Sequence, residues 1–144
     1  MLLPDVNVLI YAHRRESPEH AAHAGWLTAL AEGDEPFGLS ELVLSGVIRI
    51  VTNPRVFRTP TPLPIALSFV DALRGCPNAV PLRGGPRHFE IFERLCHQTG
   101  ASGKLVADAY HAALAMEHGC EWVTTDSDFA RFPGLRWRHP LRPA

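Results

Sequence analysis

The first thirteen residues set a pattern that the rest of the chain repeats: a short apolar run, an acid, then apolar positions at helical spacing. Met1-Leu2-Leu3 reads as a short buried strand ending near Pro4-Asp5, and Val6 to His13 as the helix that follows. Proline at a strand's last residue sacrifices less of the ladder than proline in its middle, so Pro4 marks an end. Pro18 opens a second helix running to Glu32. Phe37-Gly38-Leu39 forms a brief strand, and Ser40 is the N-cap of a helix reaching about Val51. Val43, Leu44, Val47, Ile48 and Val51 make one stripe on that helix.

The second half alternates in the same way. Asn53 to Pro64, with Pro54, Pro60, Pro62 and Pro64, is a loop inside one domain. Pro64 to Arg74 is helical and Ala79 to Leu82 a strand. Pro86 to Gln98 is a helix with Pro86 at its first position and Gly100 just past its end, and Gly103 to His118 is a helix closed by Gly119. Glu121 to Thr124 is a strand, Thr125 to Asp128 a turn, and Leu135 to Arg138 a final strand. Short strands alternating with helices define an α/β fold, a mostly parallel sheet with helices on both faces. In such sheets ligands bind at the carboxyl ends of the strands.

Composition narrows the class. At 144 residues, 46% hydrophobic and 20% charged, the chain suits one globular domain spanning 1–144. Three cysteines without a C-x-x-C spacing point to neither a disulfide framework nor a cysteine metal site, and a reducing cytoplasm is the expected compartment. Asp5 interrupts the apolar start, which argues against a signal peptide, and no run of apolar residues is long enough for a membrane span. The 14 basic residues nearly balance the 15 acids, so total charge does not announce a polyanion binder. Local charge says more: no acid follows Asp128, while Arg131, Arg136, Arg138 and Arg142 load the C-terminal segment.

The acids carry the chemistry. Asp5 ends the first strand, and Asp126 and Asp128 follow the fourth, so a parallel sheet opens both positions on one edge. Glu41 stands in the first turn of its helix, where the helix dipole alone would favour an acid. Asp108 borders the apolar stripe Leu105, Ala109, Ala112 and Met116, a place where a carboxylate needs a partner or a cation. Lys104, four residues earlier, is the one basic neighbour in sequence able to pair with it.

Four pieces, PDVNVLIYA at the start, Ser40-Glu41, VADAYHAALA and TTDSDF, resemble in order and spacing the PIN-domain ribonucleases, in particular the VapC-type toxins of bacterial toxin–antitoxin pairs. The resemblance spans nearly the whole chain. It implies a three-layer α/β/α domain and a catalytic, metal-binding quartet of Asp5, Glu41, Asp108 and Asp126, with Asp128 as a fifth acid. Asn7 and Thr125 would orient those acids. It further implies Mg²⁺, with Mn²⁺ as a substitute, an RNA substrate cut to leave a 5′-phosphate and a 3′-hydroxyl, a VapB-like antitoxin and a homodimer. A divalent cation suits this chemistry because it helps make a nucleophilic water and stabilises the leaving oxygen, and hard oxygen ligands select Mg²⁺ or Mn²⁺. The alternative is a PIN-fold module that binds RNA or protein without cutting.

Other residues have ordinary readings beside these. The eight histidines form no H-E-x-x-H, and His13, His20 and His23 read as surface residues of the early helices. His111, one turn beyond Asp108, is a candidate RNA contact as well as a helix-packing residue. Arg55 and Arg58 beside Phe57 form a basic-aromatic patch suited to single-stranded RNA. Gly84-Gly85 before a helix suggests a phosphate cradle, but the Lys-Ser/Thr of a nucleotide loop is missing. Finally, carboxylates gathered without a cation repel, so at least one should have a raised pKa, and Asp126→Asn should stabilise the metal-free protein.

Overall fold

The computed structural model describes residues 1–143. Five parallel strands form one sheet in the order β3-β2-β1-β4-β5: β1 (Leu2–Pro4), β2 (Phe37–Ser40), β3 (Ala79–Leu82), β4 (Glu121–Val123) and β5 (Trp137–Arg138). Six helices flank it: α1 (Val6–His13), α2 (His20–Glu32), α3 (Glu41–Val51), α4 (Leu63–Arg74), α5 (His88–Thr99) and α6 (Lys104–Glu117). The chain steps outward from β1 through β2 to β3, then returns past β1 to β4. Right-handed crossovers in these two opposite directions put α1 to α4 on one face and α5 and α6 on the other, giving three layers. The reversal between β1 and β4 opens a crevice at their carboxyl ends, and Asp5 and Asp126 lie there.

Pro4 is tolerated in the central strand for a specific reason. Asp5 N–H donates to the Val123 carbonyl at 2.9 Å, so Pro4's nitrogen faces β2, and the β1–β2 pairing is confined to Leu2 opposite Phe37. The ladder to β4 is intact, while the ladder to β2 stops at Pro4, which has no N–H to donate.

The sheet centre is dry. Leu3, Phe37, Trp122 and Val123 are fully buried, and Val8, Leu9, Val47 and Leu95 close over them from the helices. On α6, Ala109, Ala112, Ala113 and Ala115 are also fully buried, so the helix backbone approaches the sheet closely. Gly103 before α6 and Gly119 after it both take positive φ, which lets the chain turn sharply at each end of this tightly seated helix.

Several boundaries differ from expectation. The second helix starts at His20 because Glu19 adopts a left-handed conformation, φ 52°, which breaks the helical path from Pro18. Pro86 is not a first helical residue: the Gly85 and Arg87 N–H groups donate to the Glu117 carboxylate at 2.8 and 3.0 Å, which holds 85–87 as a turn. The final strand begins at Trp137, and Ser127–Arg131 forms a 3₁₀ turn after Asp126. Among the described residues no helix is long and apolar enough to cross a membrane.

Candidate active site

Asp5 arrives at the carboxyl edge as the N-cap of α1. Its Oδ1 accepts the Val6 N–H at 2.6 Å, while Oδ2 accepts from Asn7 Nδ2 at 3.0 Å and from the Thr124 hydroxyl at 2.6 Å. Asn7 also donates to Thr124 Oγ1 at 3.1 Å and accepts the Thr125 N–H through Oδ1 at 3.1 Å, so it stitches the end of β1 to the end of β4. Thr124 is fully buried, and its Oγ1 also accepts the Asp126 N–H at 3.1 Å.

The orienting hydroxyl therefore belongs to Thr124, one residue before the expected Thr125, whose backbone N–H is the part engaged. Alternation along β4 is the signal that would have found it. Thr124 lies two residues beyond the buried Trp122 and so points toward the same interior, whereas Thr125 has turned outward.

Asp108 and Asp126 meet at one cation. Lys104 Nζ donates to Asp108 Oδ2 at 2.9 Å and to Asp126 Oδ2 at 2.8 Å. The pairing with Asp108 was legible from the spacing of four residues; the reach to Asp126, 22 residues away, was not. Asp128 contributes its backbone N–H to Asp126 Oδ1 at 2.9 Å, and its side chain is exposed.

The electrostatics follow from this arrangement. Burial, opposed by the Thr124 and Val6 hydrogen bonds and reinforced by the charges of Asp108 and Asp126, pushes the Asp5 carboxyl up to about 6. Burial also acts to raise Asp126, but hydrogen bonds from Lys104 and from the Asp128 N–H hold it below the usual carboxylate range. Hydrogen bonding to Asp126, ahead of that to Asp108, keeps the Lys104 ammonium protonated beyond its ordinary value. Repulsion registers at Asp5, while Lys104 offsets the charge of Asp126, so Asp126→Asn is expected to lower metal-free stability and not to raise it.

Glu41 is held by a different base. Arg83 holds its carboxylate with two hydrogen bonds, 3.0 Å from Nε and 2.7 Å from Nη2, in an exposed position. That pairing lowers the Glu41 pKa. Asp108 and Asp126 meet at Lys104 and their charges reach Asp5, whereas Glu41 is engaged by Arg83. The reason is register: as the first residue of α3, Glu41 points outward while Val43, Leu44 and Val47 take the inner face.

The remaining candidates are placed as follows. His111 stacks on Trp122, 5.4 Å between ring centroids, and burial lowers its pKa to about 4. It also lines a groove of about 720 Å³ together with Val6, Arg49, Phe92, Val106 and Tyr110; the lining includes the chain neighbours of Asp5 and Asp108, Val6 and Ala107, but not the acids themselves. Arg55 is exposed, and Arg58 lines a separate cavity of about 680 Å³ at the end of α1. Phe57 is not a free stacking platform, since the Arg14 guanidinium lies 4.1 Å from its ring centroid. His23, expected at the surface, is fully buried against Tyr11, because α2 turns this side toward α1. The Gly84-Gly85 turn cradles the chain's own Glu117 carboxylate instead of a phosphate.

A divalent cation fits the donor set. The three acids offer hard oxygens, Asp5 is a carboxylate whose charge lacks a partner, and the gap between Asp108 and Asp126 already accepts positive charge. Among the described residues no three His, Cys, Asp or Glu side chains close on a single point. Mg²⁺ tolerates this, since it keeps several waters and needs only one or two direct carboxylates.

An acidic crevice at the switch point of a three-layer parallel sheet defines the class, and residues 2–135 match the PIN domain: the chain belongs to the PIN-domain family. It is 51% identical over 141 residues to ribonuclease VapC43 of Mycobacterium tuberculosis, covering 98% of this chain and 96% of that protein. It is 41% identical over 140 residues to ribonuclease VapC25 of the same species, covering 97% and 99%. Solved structures share the fold at low identity. VapBC2 of Rickettsia felis, bound to a promoter DNA fragment, gives a TM-score of 0.71 at 18% identity, covering 96% of this chain and 97% of that one. VapC20 of M. tuberculosis, a sarcin–ricin loop cleaving toxin, gives 0.66 at 16%, covering 94% and 99%.

Proposed function

We propose that this chain is a metal-dependent endoribonuclease of the VapC type, the toxin of a toxin–antitoxin pair acting in the cytoplasm. One observation carries the reading: Asp5, Asp108 and Asp126 arrive from three separate elements at the carboxyl edge of β1 and β4, beside an open groove. Full-length identity of 51% to a named VapC ribonuclease supports it.

In this reading Asp5, Asp108 and Asp126 would hold Mg²⁺ or Mn²⁺. The cation, when bound, supplies the Lewis-acid charge that activates a water and stabilises the leaving oxygen. Asn7 and Thr124 fix Asp5 with one hydrogen bond each and are joined to one another by a third, so its carboxylate would meet a cation with little reordering. The groove lined by Val6, Phe92, Tyr110 and His111 seats single-stranded RNA, and Arg55 and Arg58 contribute positive charge. A VapB-like antitoxin neutralises the enzyme, and the toxin is a homodimer; the VapBC complexes among the fold neighbours support the antitoxin.

The test is cleavage of total RNA by purified protein with Mg²⁺ or Mn²⁺, with mapping of the ends. Cleavage that leaves a 3′-hydroxyl, stops with EDTA and is lost in Asp108→Asn is the expected result. A folded protein that binds RNA and never cuts it would make the chain a binding module instead.

A further inference from the structure

Lys104 is the chain's one lysine, against 13 arginines, and among the described residues it is the cation that touches two acids of the crevice at once. We propose that Lys104 is a resident counter-ion of the acidic centre: without metal its ammonium holds Asp108 and Asp126 assembled, and an entering divalent cation displaces it. The proposal rests on the metal reading given above.

The geometry argues for it. Asp108 belongs to α6 and Asp126 to the turn after β4, so two like charges from different elements face each other, and Nζ stands within 3 Å of both. At that distance a single positive charge offsets their repulsion. A divalent cation entering the same gap brings twice the charge and repels the ammonium.

Lysine suits such a role better than arginine. It is a compact, strongly hydrated charge on a flexible stem, and its side chain is 68% exposed, so release into water disturbs no packing. A guanidinium fork bound to two carboxylates would be harder to dislodge. The consequence is a crevice kept in shape while empty, with its metal affinity reduced by competition.

A single lysine makes the test direct. In the wild-type protein, acylation of Lys104 by an amine-reactive ester, read by peptide mass spectrometry against the N-terminal amine, should accelerate several-fold as Mg²⁺ is added. Independently, Lys104→Met should bind Mn²⁺ about tenfold more tightly by electron paramagnetic resonance, as expected where the competing state occupies about nine-tenths of the free protein. Lys104→Arg should bind Mn²⁺ no more tightly than wild type. If wild type binds Mn²⁺ and Mg²⁺ leaves Lys104 acylation unchanged, the inference is wrong even should Lys104→Met fail to fold. Mn²⁺ affinity equal or weaker in a folded Lys104→Met overturns it alone, whereas absence of Mn²⁺ binding in both proteins overturns it together with the metal reading.

Discussion

Two groupings of acid and base stand at the carboxyl edge of the sheet, and their surroundings separate them. Arg83 grips Glu41 in open solvent, where water screens the charges and the pair does little beyond satisfying itself. Lys104 grips Asp108 and Asp126 at the mouth of a crevice, with Asp5 buried behind them and tied to Thr124 and Asn7. Both arrangements grow from the same local signal, an acid beside the end of a strand. Only the second lies at the topological switch between β1 and β4, where low-dielectric walls keep charge from being dissipated.

Kinetics should show the largest separation. Asp5→Asn and Asp108→Asn are each expected to lower RNA cleavage by at least about 100-fold, while Glu41→Gln stays within about threefold of wild type, measured as initial rates at saturating Mg²⁺. A collapse of activity in Glu41→Gln would erase the distinction and return that residue to the metal site.

Stability without metal separates them next, and the sign follows from Asp5. Its pKa is about 6 in the fold against 3.8 for an ordinary aspartate, so the folded state favours the protonated acid. That preference supports folding fully below pH 3.8, fades between 3.8 and 6, and leaves a cost above pH 6. The difference between those two values corresponds to about 2–3 kcal/mol. Asp5→Asn should therefore melt higher than wild type in EDTA at pH 8, with the gain vanishing near pH 4. A variant that melts lower at pH 8 would show that the hydrogen bonds to Thr124 and Asn7 outweigh the charge.

Two smaller effects sharpen the picture. Replacing both Arg55 and Arg58 by Ala should reduce the salt dependence of RNA binding, log affinity against log salt, by about 1–2 in slope. An unchanged slope removes them from the RNA path. Asp126→Asn should lower metal-free stability by at most about 1 kcal/mol, because the pair with Lys104 it breaks is partly exposed and screened. Stabilisation instead would mean that Lys104 fails to offset the repulsion.

Much of this arrangement was legible along the chain. Val6–His13 and Ala79–Leu82 fall where the apolar spacing puts them, since one face of each element is buried and its period is imposed by that burial. The sequence positions of Asp5, Asp108 and Asp126 could likewise be read against the element ends. Glu41 resisted, because a residue at a helix start carries a dipole signal whether or not it points at a site. His23 resisted too: α2 shows little one-sided patterning, and only its packing on Tyr11 and His139 reveals the inner side.

The order of strands and helices, the acids at their ends and membership in the PIN family are properties of the linear chain, because periodicity, capping and spacing act over a few residues. That Lys104 reaches Asp126 as well as Asp108, that Thr124 and not Thr125 holds Asp5, and that Glu41 turns away to Arg83 are decided in three dimensions. Each depends on where elements distant in sequence come to rest against one another, and the strength of a charge contact depends on the burial that results.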